Sequence, residues 1–188
     1  DTIIKLNELK QKGYRVIFQE NKGVSNARNN AIKYAKGKYI LPLDADNWIA
    51  DDFISKSIDM LEDNPSVDIV YTDKYFVKGE SVTTKAVGAF DLSRLLKGNY
   101  IDTCAVFRKN VWEKTGGYSE QTEGMEDYEF WLSAVEHQCR FHYIAKPLFY
   151  YRILENSMIR TLNWNKRIQE TKKKIYLKHA KLIIPDYI

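Results

Sequence analysis

An α/β fold built on a mostly parallel central sheet is what this 188-residue sequence predicts. Two observations carry the prediction. Apolar runs that read as strands, KYILPLD and VDIVYTDKYFV, alternate with segments of helical periodicity, NARNNAIKYAKG and DDFISKSIDMLEDNP, and strand–helix–strand alternation at this spacing is the signature of crossover-connected sheets. The chain is also 44% apolar and 13% aromatic, enough to bury one core, so one domain is the expectation.

Taken in order, DTIIKLNELKQKGY sets Ile3, Ile4, Leu6 and Leu9 on a helical stripe closed by Gly13, a residue type suited to a left-handed C-cap. YRVIFQEN then reads as a strand ending in the NKG turn. Ser25 is placed to N-cap the next helix, whose Ala27, Ala31, Ile32 and Ala35 form a small-residue face. KYILPLD is a strand, DDFISKSIDMLEDNP a helix broken at Asn64 and Pro65, and VDIVYTDKYFV a further strand. A short helix is expected around Leu92 to Leu96, then a strand, a short helix and a glycine turn in TCAVFRKNVWEKTGGYSE. EDYEFWLSAVEHQ is helical, and CRFHYIAKPLFYYR is extended and aromatic. From 161 to 188 the pattern becomes a basic amphipathic helix with Trp164, Ile168, Thr171, Ile175 and Leu182 on one side.

Several function classes lose support at this point. The net charge of +4 comes mostly from C-terminal lysines, which suggests no nucleic-acid surface. Cys104 and Cys139 stand in no zinc or redox spacing and read as two small buried thiols of a reducing compartment. No apolar run approaches the roughly 18 residues of a membrane span, so the chain reads as cytoplasmic. Its C-terminal helix is either packed on the domain or available to an anionic membrane at the inner face.

Four clusters carry chemistry. Asp44 and Asp46 end a strand, and carboxylates two apart in extended backbone face one side, where they could share Mn²⁺ or Mg²⁺ completed by water and phosphates. The ordinary alternative is a solvated turn. Glu126 and Asp127 start a helix, where acids are favoured by the dipole in any case, but one of them could serve as a general base. Asn26, Arg28 and Asn29 lie on the first turns of another helix, and a guanidinium there could meet a nucleotide. Arg152, Ser157 and Arg160 follow an aromatic strand and could clamp a diphosphate.

The segments G-V-S-N-A-R-N-N-A, L-D-A-D-N, G-G-Y and M-E-D-Y-E-F-W-L, in this order and spacing, together resemble the family 2 inverting glycosyltransferases of GT-A fold over roughly residues 1 to 160. The resemblance implies a nucleotide-sugar donor, a divalent metal, inversion at the sugar carbon, and a carbohydrate, lipid-linked or protein acceptor. It implies that Asp44 and Asp46 meet nucleotide and metal, that Arg28 lies near the nucleotide, and that Asp127 is the base with Glu126 beside it. In that light Asn26, Arg152 and Ser157 are further candidates for holding the donor.

Three departures stand out. Family members usually begin with a strand, a helix and a second strand, roughly 40 residues by the usual crossover size, and the opening Asp1-Thr2 looks like the tail of that portion, so the domain reads as N-terminally truncated. Ala31 stands where glycine is more usual, and Gln138, Cys139, Arg140 and Phe141 do not match the motif of processive polymerases. Two rival readings remain open at this level: a metal-dependent nucleotidyltransferase, and an inactive nucleotide- or carbohydrate-binding module of the same fold.

Overall fold

Helix α1 (Thr2–Gln11) forms where the apolar stripe placed it, in a computed structural model that describes residues 2–122, 124–154 and 164–184. None of its residues is buried. The expected strand over 14–21 is absent: that stretch carries no β-ladder. Alternation alone does not make a strand when no neighbouring strand is present to take its backbone groups. Helix α2 (Val24–Tyr34) follows Gly23, whose φ of 87° turns the chain into it. Ser25 is therefore not the cap, and it lies buried inside the first turn.

Among the described residues the sheet has six strands: β1 (Tyr39–Ile40), β2 (Trp48–Ile49), β3 (Ile69–Lys78), β4 (Ser81–Lys85), β5 (Val106–Arg108) and β6 (Phe141–Arg152). Its order is β1-β5-β3-β6-β2, with β4 paired to β3. Among the described residues it is mixed rather than mostly parallel. Only β3 and β6 pair in parallel, while β1–β5, β3–β5, β3–β4 and β2–β6 are antiparallel. The physical reason is insertion. β1 and β3 do run the same way, but β5 returns between them, and the β3–β4 hairpin turns tightly through Gly79 at φ 56°.

Five helices complete the core-forming frame: α3 (Phe53–Asp63), α4 (Leu92–Lys97), α5 (Lys109–Thr115), α6 (Glu126–Glu136) and α7 (Trp164–Lys178). Alternate residues of the strands serve opposite faces. Ile69, Tyr71 and Phe107 join Trp131, Phe130 and Leu132 of α6 on one side, whereas Val70, Val106 and Phe149 meet Phe53 and Leu61 of α3 on the other. Both cysteines are free and buried.

The basic C-terminal segment is not one continuous helix. It turns at His179 into α8 (Ala180–Ile183). Its apolar stripe faces inward, with Thr171 and Ile175 buried and Ile168 and Leu182 packed against the same core as α6. The polar anchor is Glu129 of α6, fully buried, which accepts hydrogen bonds from Ser133 and Lys178 and lies 3.2 Å from His179 Nε2. Burial alone would raise the Glu129 pKa, but these donors together hold its carboxyl below the usual range. A helix so anchored has its apolar face already covered.

Candidate active site

β1 runs out at Leu41, and the chain then makes a tight turn in which Asn47 N donates to Asp44 O. Asp44 and Asp46 therefore sit in a turn, not in extended backbone. They nevertheless line one cavity of about 590 Å³, because the turn folds over the end of the sheet. The same cavity is lined by Arg28, Lys74, Asp102, Glu126 and Asp127. Elements far apart in sequence thus converge at one edge: the β1–β2 turn and the start of α6 supply two carboxylates each, and α2 supplies Arg28.

Arg28 makes the convergence physical. Its guanidinium donates to Asp44 Oδ1 at 2.7 Å and to Glu126 Oε1 at 2.9 Å, with only 12% of the side chain exposed. Its carbon lies 5.5 Å from the Tyr118 ring centroid, so a cation–π contact supports the same placement. The arginine expected at the nucleotide is held by two carboxylates, and it bridges the D-x-D turn to the E-D pair.

Glu126 and Asp127 are neighbours with different surroundings. Both Glu126 oxygens are engaged, one by Arg28 and the other by Gly124 N at 2.8 Å. Asp127 accepts from Tyr128 N at 2.7 Å and from Asn99 Nδ2 at 2.8 Å, and a carboxylate with two donors retains lone pairs for a third. Burial, then the charges of Glu126 and Asp102, push the Asp127 pKa up to about 7, against the opposing pull of Tyr128 N and Arg28. A carboxyl poised there can take up a proton near neutral pH.

The G-G-Y motif acquires a role in this frame. Gly117 has φ 82°, and a Cβ on it would lie 2.6 Å from Asn29 Oδ1 and 2.7 Å from Trp112 Nε1. Asn29 Oδ1 accepts from Trp112 Nε1 and Tyr118 N, and its Nδ2 donates to Tyr118 O. That clamp fixes the tyrosine on which Arg28 rests. Asn29 positions the site without lining it.

The remaining candidates are distributed as follows. Arg152 reaches the turn, donating from Nε to Asp46 O at 3.0 Å and stacking over Trp48. Asn26 is not brought to the cavity; it faces Gln19 and Glu120 in a separate surface cleft. Ser157 and Arg160 lie outside the described residues. Sequence reading missed Asn99, Asp102 and Lys74, the last two forming a 2.8 Å ion pair in the cavity wall. They belong to no short motif, and only the folding of the 86–104 segment over β3 joins them to Asp127.

A metal is a question of donors. Asp44 has one oxygen on Arg28 and a side chain 41% exposed, and Asp46 is exposed. Among the described residues no cluster of three or more His, Cys, Asp or Glu is set to hold an ion. Asp46 and the remaining oxygen of Asp44 could hold Mg²⁺ or Mn²⁺ if water and phosphate oxygens completed the shell.

The described helices include none long and apolar enough to cross a membrane. The glycosyl transferase family 2 model matches residues 2–116, and the chain belongs to that family. It is 27% identical over 161 residues to an uncharacterized glycosyltransferase of Methanocaldococcus jannaschii, covering 79% of this chain and 54% of that protein. It is 27% identical over 157 residues to the chondroitin synthase of Escherichia coli, covering 81% of this chain and 23% of that one. The chain therefore spans about half or less of the length of these relatives. Among solved structures, S. aureus TarS residues 1–349 in complex with UDP-GlcNAc superposes with a TM-score of 0.71 at 14% identity, over 97% of this chain and 58% of that one. That likeness establishes the GT-A fold.

Proposed function

We propose that this chain carries the catalytic site of an inverting glycosyltransferase that moves a sugar from a nucleotide-sugar donor, a UDP-sugar, to an acceptor hydroxyl by single displacement. The observation that carries the reading is the Arg28 bridge, which holds the D-x-D turn and the Glu126–Asp127 pair against one cavity. The donor diphosphate lies by Asp44, Asp46 and Arg152, and the acceptor approaches Asp127.

Asp127 takes the proton as the acceptor oxygen attacks the anomeric carbon, while the bond from that carbon to the diphosphate breaks and its electrons leave with the nucleotide. Attack from the face opposite the leaving group inverts the centre. Asn99 and Tyr128 N aim the carboxylate, and Glu126 keeps Arg28 in place. When bound at Asp44 and Asp46, Mn²⁺ or Mg²⁺ would offset the charge growing on the diphosphate.

The test is UDP-GlcNAc binding and turnover with and without Mn²⁺. Asp127→Asn is expected to retain donor binding and lose about 10² to 10⁴ in turnover. Asp46→Asn, at an exposed position, is expected to remove the Mn²⁺ dependence of UDP affinity at unchanged stability. Turnover that survives in Asp127→Asn would overturn the assignment of the base.

A further inference from the structure

Asp127 faces two cavities, and their charge reverses from one to the other. On the donor side, among the described residues that line the cavity, Asp44, Asp46, Asp102, Glu126 and Asp127 outnumber Arg28 and Lys74, and Arg152 donates to the Asp46 carbonyl beside them. On the other side a cavity of about 470 Å³ is walled by Lys74, Lys85, Arg94 and Lys97, with Asp102 and Asp127 its sole acids among the described residues. Lys74 is paired with Asp102. Lys85, Arg94 and Lys97 have no carboxylate within ion-pairing distance among the described residues.

These cations are placed with some precision. Lys85 stands directly opposite Lys74 in the β3–β4 ladder, and like charges in that relation repel. Arg94 lies 3.9 Å over the Tyr100 ring and donates to the Val87 carbonyl. The loop that carries Val87 is itself fixed, since Val87 N donates to buried Asp73 and Tyr71 OH donates to Gly88 O. A stacked, tethered guanidinium offers its free N–H groups to an anion with little ordering cost. Asn99 lines the same cavity and holds Asp127, so the proton acceptor and the basic wall belong to one compartment.

We propose that this basic cavity is the acceptor subsite and that it takes an acceptor bearing an anionic group, a phosphodiester or a carboxylate, close to the hydroxyl that is glycosylated. The proposal rests on the glycosyltransferase reading and names its acceptor class. The cavity volume is in the range of small-molecule sites. An anionic acceptor would otherwise be repelled by the five carboxylates of the neighbouring cavity, and the cations on its own side offset that repulsion and orient the hydroxyl toward Asp127. If the lysines were merely solvated, as most surface lysines are, the cavity would show no preference for charge.

Calorimetric titration of this chain, with and without saturating UDP, would compare a glycerol-phosphate oligomer, a hyaluronan tetrasaccharide and neutral chitotetraose. At least one anionic oligomer is expected to bind tenfold or more tightly than the neutral one, with affinity falling as salt rises; the phosphate and carboxylate arms identify the group preferred. Lys85→Gln/Lys97→Gln, both at exposed positions, and separately Arg94→Gln, are expected to weaken that binding at least tenfold while UDP affinity stays within twofold. Equal or better binding of the neutral oligomer, no anionic binding in either condition, or unchanged binding in the variants would overturn the proposal. Failure of the parent chain to bind UDP while it still prefers anions would count against the donor site and leave the acceptor subsite standing.

Discussion

Arg28 and Glu126 are 98 positions apart in the chain, yet Nη1 of one donates to Oε1 of the other at 2.9 Å. With Asp44 on its second nitrogen, the guanidinium closes a part-buried carboxylate–arginine–carboxylate bridge. Removal of Arg28 leaves Glu126 without its counter-charge. Arg28→Ala is therefore expected to cost about 3 kcal/mol, the usual scale for breaking one side of a buried pair. Arg28→Lys keeps the charge but cannot fork between two acids, so it should fall between the two. Urea denaturation of the three proteins measures this, and an Arg28→Ala chain as stable as the parent would remove the bridge from the account.

Asp127 makes a pH prediction with a definite sign. Its pKa is pushed up to about 7, so transfer should rise with pH through about 7 as the carboxylate form appears, and Asp127→Asn should lack that limb. Stability should move the other way. The folded state binds a proton that the unfolded chain releases near the ordinary value of about 3.9, so this group's contribution is fully present below that value and declines as pH rises to about 7. Denaturation at pH 5 and pH 8 should show Asp127→Asn gaining on the parent at the higher pH.

Gly117 and Gly116 separate a backbone effect from a packing effect. Both have positive φ, 82° and 78°, but only Gly117 has atoms within reach of an added Cβ, at 2.6 Å and 2.7 Å. Gly116→Ala should cost about 1 kcal/mol from its left-handed backbone. Gly117→Ala adds a clash with Asn29 and Trp112 and should cost distinctly more, with a loss of donor binding as Tyr118 shifts under Arg28. Thermal unfolding and UDP titration of the two variants read the difference.

Glu129 ties the C-terminal helices to α6. Glu129→Gln is expected to weaken that attachment by roughly 2 kcal/mol, since hydrogen bonds to a charged group are at stake, and to expose α7 and α8 to limited proteolysis before the core unfolds. Because its carboxyl is held below the usual range, the contribution is present above the unfolded value of about 4.3 and is lost as pH falls through the folded one. Proteolysis in the parent should accelerate in acid, and in Glu129→Gln much less so.

Most helices were legible in the sequence because each is governed by neighbours in the chain. α3 follows its 3.6-residue stripe, α6 opens on an acidic first turn, and α5 ends at Gly116 in the left-handed conformation that glycine favours. The carboxylates were legible as well, since D-x-D and E-D are local patterns. Strand pairing was not. A strand at 14–21 needs a partner it does not find, and β5 entering between β1 and β3 is a long-range event that periodicity does not encode. The inward packing of the C-terminal stripe was equally hidden, because an amphipathic helix looks the same whether its apolar face meets a core or a membrane; in the structure Ile168, Ile175 and Leu182 pack on the core and Glu129 lies against His179.

The sequence by itself determined which groups are available: two acids two apart after an apolar strand, two at a helix start, an arginine among small residues, and glycines at a helix end and a turn. Tertiary structure alone decided what each does. It set Arg28 between Asp44 and Glu126, left Asp127 half-buried with Asn99 at its side and a raised pKa, sent Asn26 to another surface, and gathered Lys85, Arg94 and Lys97 into one wall. The physical reason is that electrostatic roles depend on burial and on distances of a few ångströms, and those are fixed by the packing of elements dozens of residues apart.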